Sequence, residues 1–199
     1  RFRGHPPSVE PLLAKRGYRG NIYATPATRD LAGLVMMDSA AIQSRDREYL
    51  SKQAAKKGEK FDWQPLYDED DVIQATGQFV TVSYNRPLPI GDGVKVELYD
   101  AGHILGSAMV ERGVKTGAGA RTLIFSGDIG QWDMPFVRDP SLIESADYVV
   151  MESTYGDRDH EDPGHVGDLL AAVIRETVAA GGNVVIPTFA IERAQDLMF

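Results

Sequence analysis

Three short stretches carry the residues best suited to chemistry: AGHILGS (101–107), FSGDIG (125–130) and VVMESTYG (149–156). They hold His103, Asp128 and Glu152, each placed after a strand-like apolar run and beside turn-forming residues. An imidazole nitrogen and a carboxylate oxygen are both ligands that Zn²⁺ accepts. A carboxylate can also bridge two ions, as two-metal hydrolases require. Taken singly, each residue has an ordinary explanation. A loop histidine can serve as a hydrogen-bonding cap, and an aspartate beside glycine often bonds its own backbone. Three such residues, all delivered from strand ends, point instead to one shared ionic centre.

The elements that must position them are legible from periodicity. NIYATPATRDLAGLVMMDSA reads as a short strand, then a helix with Thr25 as N-cap and Pro26 at its first position; Leu31, Leu34, Val35 and Ile42 form its apolar stripe. Residues 43–75 are polar and read as a solvated helical face broken at KKGEK, after which LYDEDDV opens a second helix with acidic residues at its positive end. The period then changes. FVTVSY (79–84) and VKVELY (94–99) read as strands joined by NRPLPIGDG, and SAMVERG and RTLIFSG as a second pair around VKTGAGA. ADYVVMEST is nearly continuous in apolar character, as in a fully buried strand. Short turns between consecutive strands predict a largely antiparallel or mixed sheet, with the preceding helix covering one face.

Beyond TYGDRDHEDPGH the style changes to α/β. Val166, Leu169, Leu170, Val173, Ile174 and Val178 follow helical spacing and are closed by Gly181 and Gly182; NVVIPT reads as a short buried strand, and AIERAQDLMF opens another helix. This change predicts two domains, 1–157 and 158–199.

The 199 residues are 43% hydrophobic and 25% charged, ordinary for a globular protein, with length enough to bury a core. No run approaches the roughly 18 apolar residues that span a bilayer, and the opening RFRGHPPSVE has no apolar leader core. Cysteine is absent, which excludes disulfides and thiolate metal sites and fits a reducing cytoplasm. The formal net charge of −8 argues against nucleic-acid binding through a whole-surface basic field, though not against a local groove or a metal centre that inverts the sign.

AGHILGSAMVE, FSGDIG and MESTYGDR, in that order, resemble the metallo-β-lactamase-fold nucleases of the β-CASP group. That group includes bacterial and archaeal RNA-processing nucleases and the endonuclease subunit of the cleavage and polyadenylation specificity factor. GYRGNIYATPATRDLAGLVMMDSA is similar to the segment after the group's main metal motif, and PTFAIERAQDLMF to the start of its inserted second domain. The resemblance implies an α/β (α+β) fold: a partial metallo-β-lactamase αββα sandwich with the beginning of an inserted β-CASP domain. It implies His103 as a zinc ligand, Asp128 as the carboxylate bridging two Zn²⁺, and Glu152 as an acidic catalytic residue supporting a histidine from further downstream. The implied reaction is hydrolysis of phosphodiester bonds in single-stranded RNA. No membrane partner is implied. An incomplete sheet with open edges would favour self-association, a homodimer included.

The chain also departs from that pattern. The group's principal motif is H-x-H-x-D-H, whereas the corresponding region here reads RFRGHPPSVEPLLAKRG, with His5 alone. His160 falls where such proteins often carry a histidine but reads equally as an exposed loop residue, and His165 matches no ligand position. Two protein ligands are fewer than a zinc site holds. The expectation is therefore a slice of a longer enzyme, inactive alone and with metal weakly bound or absent. The alternatives are a metal-free scaffold or RNA-binding subunit, and a small-molecule hydrolase on the same scaffold.

Overall fold

A computed structural model describes residues 8–117, 119–159, 163–188, 191 and 193–198. It divides into two compact units, one ending at Val150 and the other beginning at Met151.

The first unit begins with helix α1 (Val9–Lys15), strand β1 (Ile22–Ala24), helix α2 (Pro26–Lys57) and helix α3 (Glu69–Thr76). Thr25 caps α2 as its type predicts: its hydroxyl accepts the Thr28 N–H, and Pro26 occupies the first turn. The helix runs well past the apolar stripe. It stops where Gly58 takes φ 68°, with the Gly58 and Glu59 N–H groups bonding back to Ala55 and Ala54. Asp68 and Asp71 cap α3 reciprocally, each carboxylate accepting the other's backbone N–H at 3.1 Å. The buried core of this helical half is Met36, Ala40, Tyr67 and Val72, with Leu12, Ala32, Met37 and Phe79 packed around it. The Tyr67 hydroxyl donates to Ser39 at 3.0 Å, which satisfies the polar tip of the largest buried side chain.

The strands differ from the expected pairing. FVTVSY contributes only β2 (Phe79–Thr81), which pairs in parallel with β1 rather than with VKVELY. The partner of VKVELY is a strand that the turn-rich composition conceals, β3 (Leu88–Gly91), containing Pro89. Proline removes one ladder donor and is therefore confined to sheet edges, which is where β3 lies. The five-stranded sheet has the order β3–β4–β5–β6–β7, with β4 Val94–Asp100, β5 Ala108–Thr116, β6 Gly119–Phe125 and β7 Tyr148–Val150. All its pairings are antiparallel except β6 with β7. Helices with a mostly antiparallel sheet make the architecture a mixed α/β one, of the α+β kind expected.

Two strand expectations are corrected. Tyr148, Val149, Val150 and Met151 are exposed rather than buried: among the described residues β7 is an edge strand paired with β6, and no helix packs on it. In the second unit, helix α4 (Val166–Ala179) follows a short 3₁₀ turn at Pro163–His165. It ends in the predicted glycine stop, with Gly181 at φ 71° and Gly182 N–H bonded to Thr177. NVVIPT forms no strand, since among the described residues of this unit none supplies a pairing partner, and Val185 is exposed. Helix α5 (Arg193–Met198) follows. His5 and His160 lie outside the described residues. Among the described residues, no helix is long and apolar enough to cross a membrane.

The stripe and the core make separable predictions. Met36 is fully buried, whereas Leu34, on the expected stripe, is 67% exposed. Met36→Ala should lower the unfolding free energy by about 2–5 kcal/mol, and Leu34→Ala should change it by no more than about 0.5 kcal/mol. Urea denaturation of the two variants checks this, and the reverse ranking would displace the assigned core.

A second prediction concerns alkaline stability. Burial, together with the Glu111 carboxylate that accepts the Tyr99 O–H at 3.1 Å, pushes the Tyr99 phenol from 10.0 up to about 12. The folded state then holds this proton more tightly than the unfolded chain. The associated stability is complete below about pH 10 and is lost as pH rises through about 12. Tyr99→Phe should flatten this limb of a pH–stability curve, and an unchanged alkaline limb would contradict the assignment.

Candidate metal centre

Strands β4 and β6 both run antiparallel to β5 between them, so their C-terminal ends lie at one rim of the sheet. His103 follows β4 by three residues, and Asp128 follows β6 by three. The topology alone therefore brings the two loops together.

The β4–β5 loop is held from several directions. Asp100 and Ala108 close its base as a ladder pair. Inside it, the Ser107 hydroxyl accepts the His103 and Ile104 N–H groups at 3.1 and 3.2 Å, and Asp100 Oδ1 accepts the Gly102 N–H at 3.0 Å. Three hydroxyls from outside then fix its far side. Thr25 and Thr28, at the start of α2, both donate to the Gly106 carbonyl at 2.9 and 2.8 Å, and Tyr84 donates to the Ser107 carbonyl at 2.8 Å. Gly106 adopts φ 87°, and a Cβ there would stand 2.6 Å from the Thr28 nitrogen, so no other residue fits this approach. Burial, with the Asp100 carboxylate adding to it, raises the Tyr84 phenol above its ordinary value and keeps this donor protonated.

The second loop is seated directly on the first. Gly130 N–H donates to the Ala101 carbonyl at 2.8 Å, and a Cβ on Gly130 would lie only 1.7 Å from the Gly102 oxygen. Here the glycine is required for space. The buried Ser126 anchors the loop's start, its N–H bonding the Val150 carbonyl at 2.9 Å.

The outcome is a side-chain pair: His103 Nε2 stands 3.8 Å from Asp128 Oδ2, with the side chains 44% and 73% exposed. Two donors on one tetrahedral zinc ion at about 2.0–2.1 Å sit roughly 3.3 Å apart. Rotation of two exposed side chains closes that half-ångström difference. The pair therefore suits a shared ion in donor type and spacing. It is incomplete in number, for zinc sites take three or four ligands, and among the described residues no group of three or more His, Cys, Asp or Glu could hold a metal. Glu152 is half-buried, lies two residues past β7 and belongs to the second unit. His165 ends the 3₁₀ turn and precedes α4, its side chain making no cap bond. Sequence reasoning missed Thr28 and Tyr84, because hydrogen bonds across 78 and 23 residues have no periodic signature.

The structure thus defines a class of mixed α/β chain that presents an imidazole and a carboxylate from adjoining loops at one sheet rim. Comparison with known proteins narrows the class. The chain is 35% identical to Ribonuclease TTHA0252 of Thermus thermophilus over 189 residues, 95% of this chain and 38% of that protein. It is 31% identical to Transcription termination factor FttA of Methanosarcina mazei over 94% of this chain and 27% of the relative. It is 28% identical to Endoribonuclease YSH1 of Candida glabrata over 98% and 24%. The chain thus spans less than two fifths of the length of these relatives. No family model matches it. These relatives, with the mixed α/β fold, support the β-CASP metallo-β-lactamase ribonuclease family as the one this segment is similar to.

The loop contacts can be tested separately from any chemistry. Gly130→Ala should destabilise the protein by about 1–3 kcal/mol through forced separation of the two loops, and Tyr84→Phe by about 1 kcal/mol through one lost hydrogen bond. Chemical denaturation measures both, and a neutral Gly130→Ala would refute the tight seating of the loops.

Proposed function

We propose that the complete gene product is a zinc-dependent nuclease that hydrolyses phosphodiester bonds in single-stranded RNA, and that this chain supplies His103 and Asp128 to its metal centre. The observation that carries this reading is the 3.8 Å approach of the two side chains at one rim, in a chain whose relatives include a ribonuclease and an endoribonuclease. His103 would hold an ion through Nε2, and Asp128 would hold it through its carboxylate and offset its charge. Bound zinc supplies Lewis acidity and lowers the pKa of water towards neutrality. Glu152 takes the role of orienting a histidine that protonates the leaving oxygen. Residues 158–199 begin the inserted domain.

A second reading is a metal-free scaffold or RNA-binding subunit, favoured by the absence of any third ligand among the described residues. The two readings part on one experiment. The complete gene product should cleave single-stranded RNA and lose cleavage on chelation. His103→Ala and Asp128→Asn should each reduce the rate by at least about 100-fold, since even residues that merely support metal ligands cost up to that much. Cleavage that survives exhaustive metal removal would overturn the proposal, and a correctly folded product that neither binds zinc nor cleaves would favour the scaffold.

A further inference from the structure

A pocket of about 370 Å³ opens beside the β4–β5 loop, lined among others by Tyr84, Asp100, Leu105, Phe136 and Arg138. Its size falls within the range of clefts that hold small organic groups, about 300–1,000 Å³. The lining is divided in character. Leu105 and Phe136, 58% and 38% exposed, offer apolar and aromatic surface, while Asp100 and Arg138 supply opposite charges. Among the described residues, no carboxylate pairs with the Arg138 guanidinium. Asp100 is partly engaged: its Oδ1 accepts the Gly102 N–H at 3.0 Å, which fixes the carboxylate's orientation and leaves acceptor capacity on both oxygens.

A planar group with an apolar face and polar edges suits such a lining, as a nucleobase does. The carboxylate narrows the choice. An ionised Asp can only accept hydrogen bonds. Guanine presents two adjacent donors on its Watson–Crick edge, a ring N–H and an exocyclic amino group. Adenine and cytosine place an acceptor nitrogen beside their amino group, and uracil sets its ring N–H between two carbonyls. Location narrows it further. Asp100 lies three residues from His103, a stretch of chain that extends at most about 11 Å, and Ile104 and Leu105 of the same loop line the pocket. A group bound here is therefore close to the His103–Asp128 pair.

We propose that this pocket is a base-recognition subsite that takes a guanine flanking the scissile phosphate, with Asp100 reading its Watson–Crick edge, Phe136 stacking on its face and Arg138 meeting an adjoining phosphate. This rests on the reading of the protein as a nuclease acting on RNA. It adds a base preference and the residue that sets it.

The test is equilibrium binding to the complete gene product, held metal-free with chelator so that binding is read apart from cleavage. The probes are fluorescent 2′-O-methyl octauridylates carrying one central guanine, inosine or adenine. The guanine probe should bind roughly tenfold or more tightly than the adenine probe, the scale of a two-bond base contact. Inosine, which keeps the ring N–H and lacks the amino group, should fall between. Asp100→Asn retains an oxygen for the Gly102 N–H and should bring the guanine-to-adenine ratio close to one. Phe136→Ala should weaken all three probes by roughly tenfold and leave their order intact. Equal affinity for the three probes, or a ratio unmoved by Asp100→Asn, overturns the subsite. If that result accompanies zinc-dependent RNA cleavage, the nuclease reading stands without it. If the protein neither binds nor cleaves any RNA, both fall.

Discussion

The candidate site depends on one backbone contact. Gly130 lies so close to Gly102 that a single added carbon would sit 1.7 Å from a carbonyl oxygen, and the Gly130 N–H bonds the carbonyl of Ala101 at 2.8 Å. A loop following β6 and a loop following β4 are thereby joined main chain to main chain. Side-chain rotation cannot loosen such a contact, so the positions of His103 and Asp128 follow from the backbone. Glycine at this position sacrifices unfolded-state constraint worth roughly 0.5–1 kcal/mol, and the gain is a fixed backbone placement for two residues whose side chains stay exposed.

Everything around the contact supports it. The antiparallel order β4–β5–β6 sends two chain directions to the same rim. Three hydroxyls converge on the adjacent carbonyls of Gly106 and Ser107, two of them from the first turn of a 32-residue helix. The long helix thus has a local task beyond its own core, since its N-terminus anchors the histidine loop. Such bracing preorganises the two loops, and preorganisation lowers the ordering cost of binding. The two-residue donor set sets the opposite limit. Tight binding needs further ligands, and the relatives that share this segment extend well beyond it.

Much of this was readable from residue types, and the boundary between legible and hidden is physical. Thr25–Pro26, Gly58, Asp68 and Gly181 announce helix ends because capping is chemistry within a few residues. The strand-end positions of His103 and Asp128 were legible because each sits in a turn after a strand-like run, and the expected largely antiparallel or mixed sheet agrees with the β4–β5–β6 pairing. Long-range facts were hidden. Nothing local distinguishes the strand at 88–91, where Pro89 argues against a ladder position unless the edge is known. The hydroxyls of Thr28 and Tyr84 read as routine polar positions, though each spends its donor on a distant loop. The apolar run at 148–151 was misread as buried because hydrophobicity records what a strand can pack against and says nothing of whether a neighbour lies beside it.

The most direct test of the account is X-ray absorption at the zinc edge on the complete gene product, alongside its His103→Gln and Asp128→Asn variants. The account predicts that His103→Gln removes the outer-shell scattering of one imidazole and that Asp128→Asn alters the oxygen shell at about 2.0–2.2 Å. Zinc spectra identical in all three proteins would place the metal elsewhere and contradict the claim that the two loops share one ion.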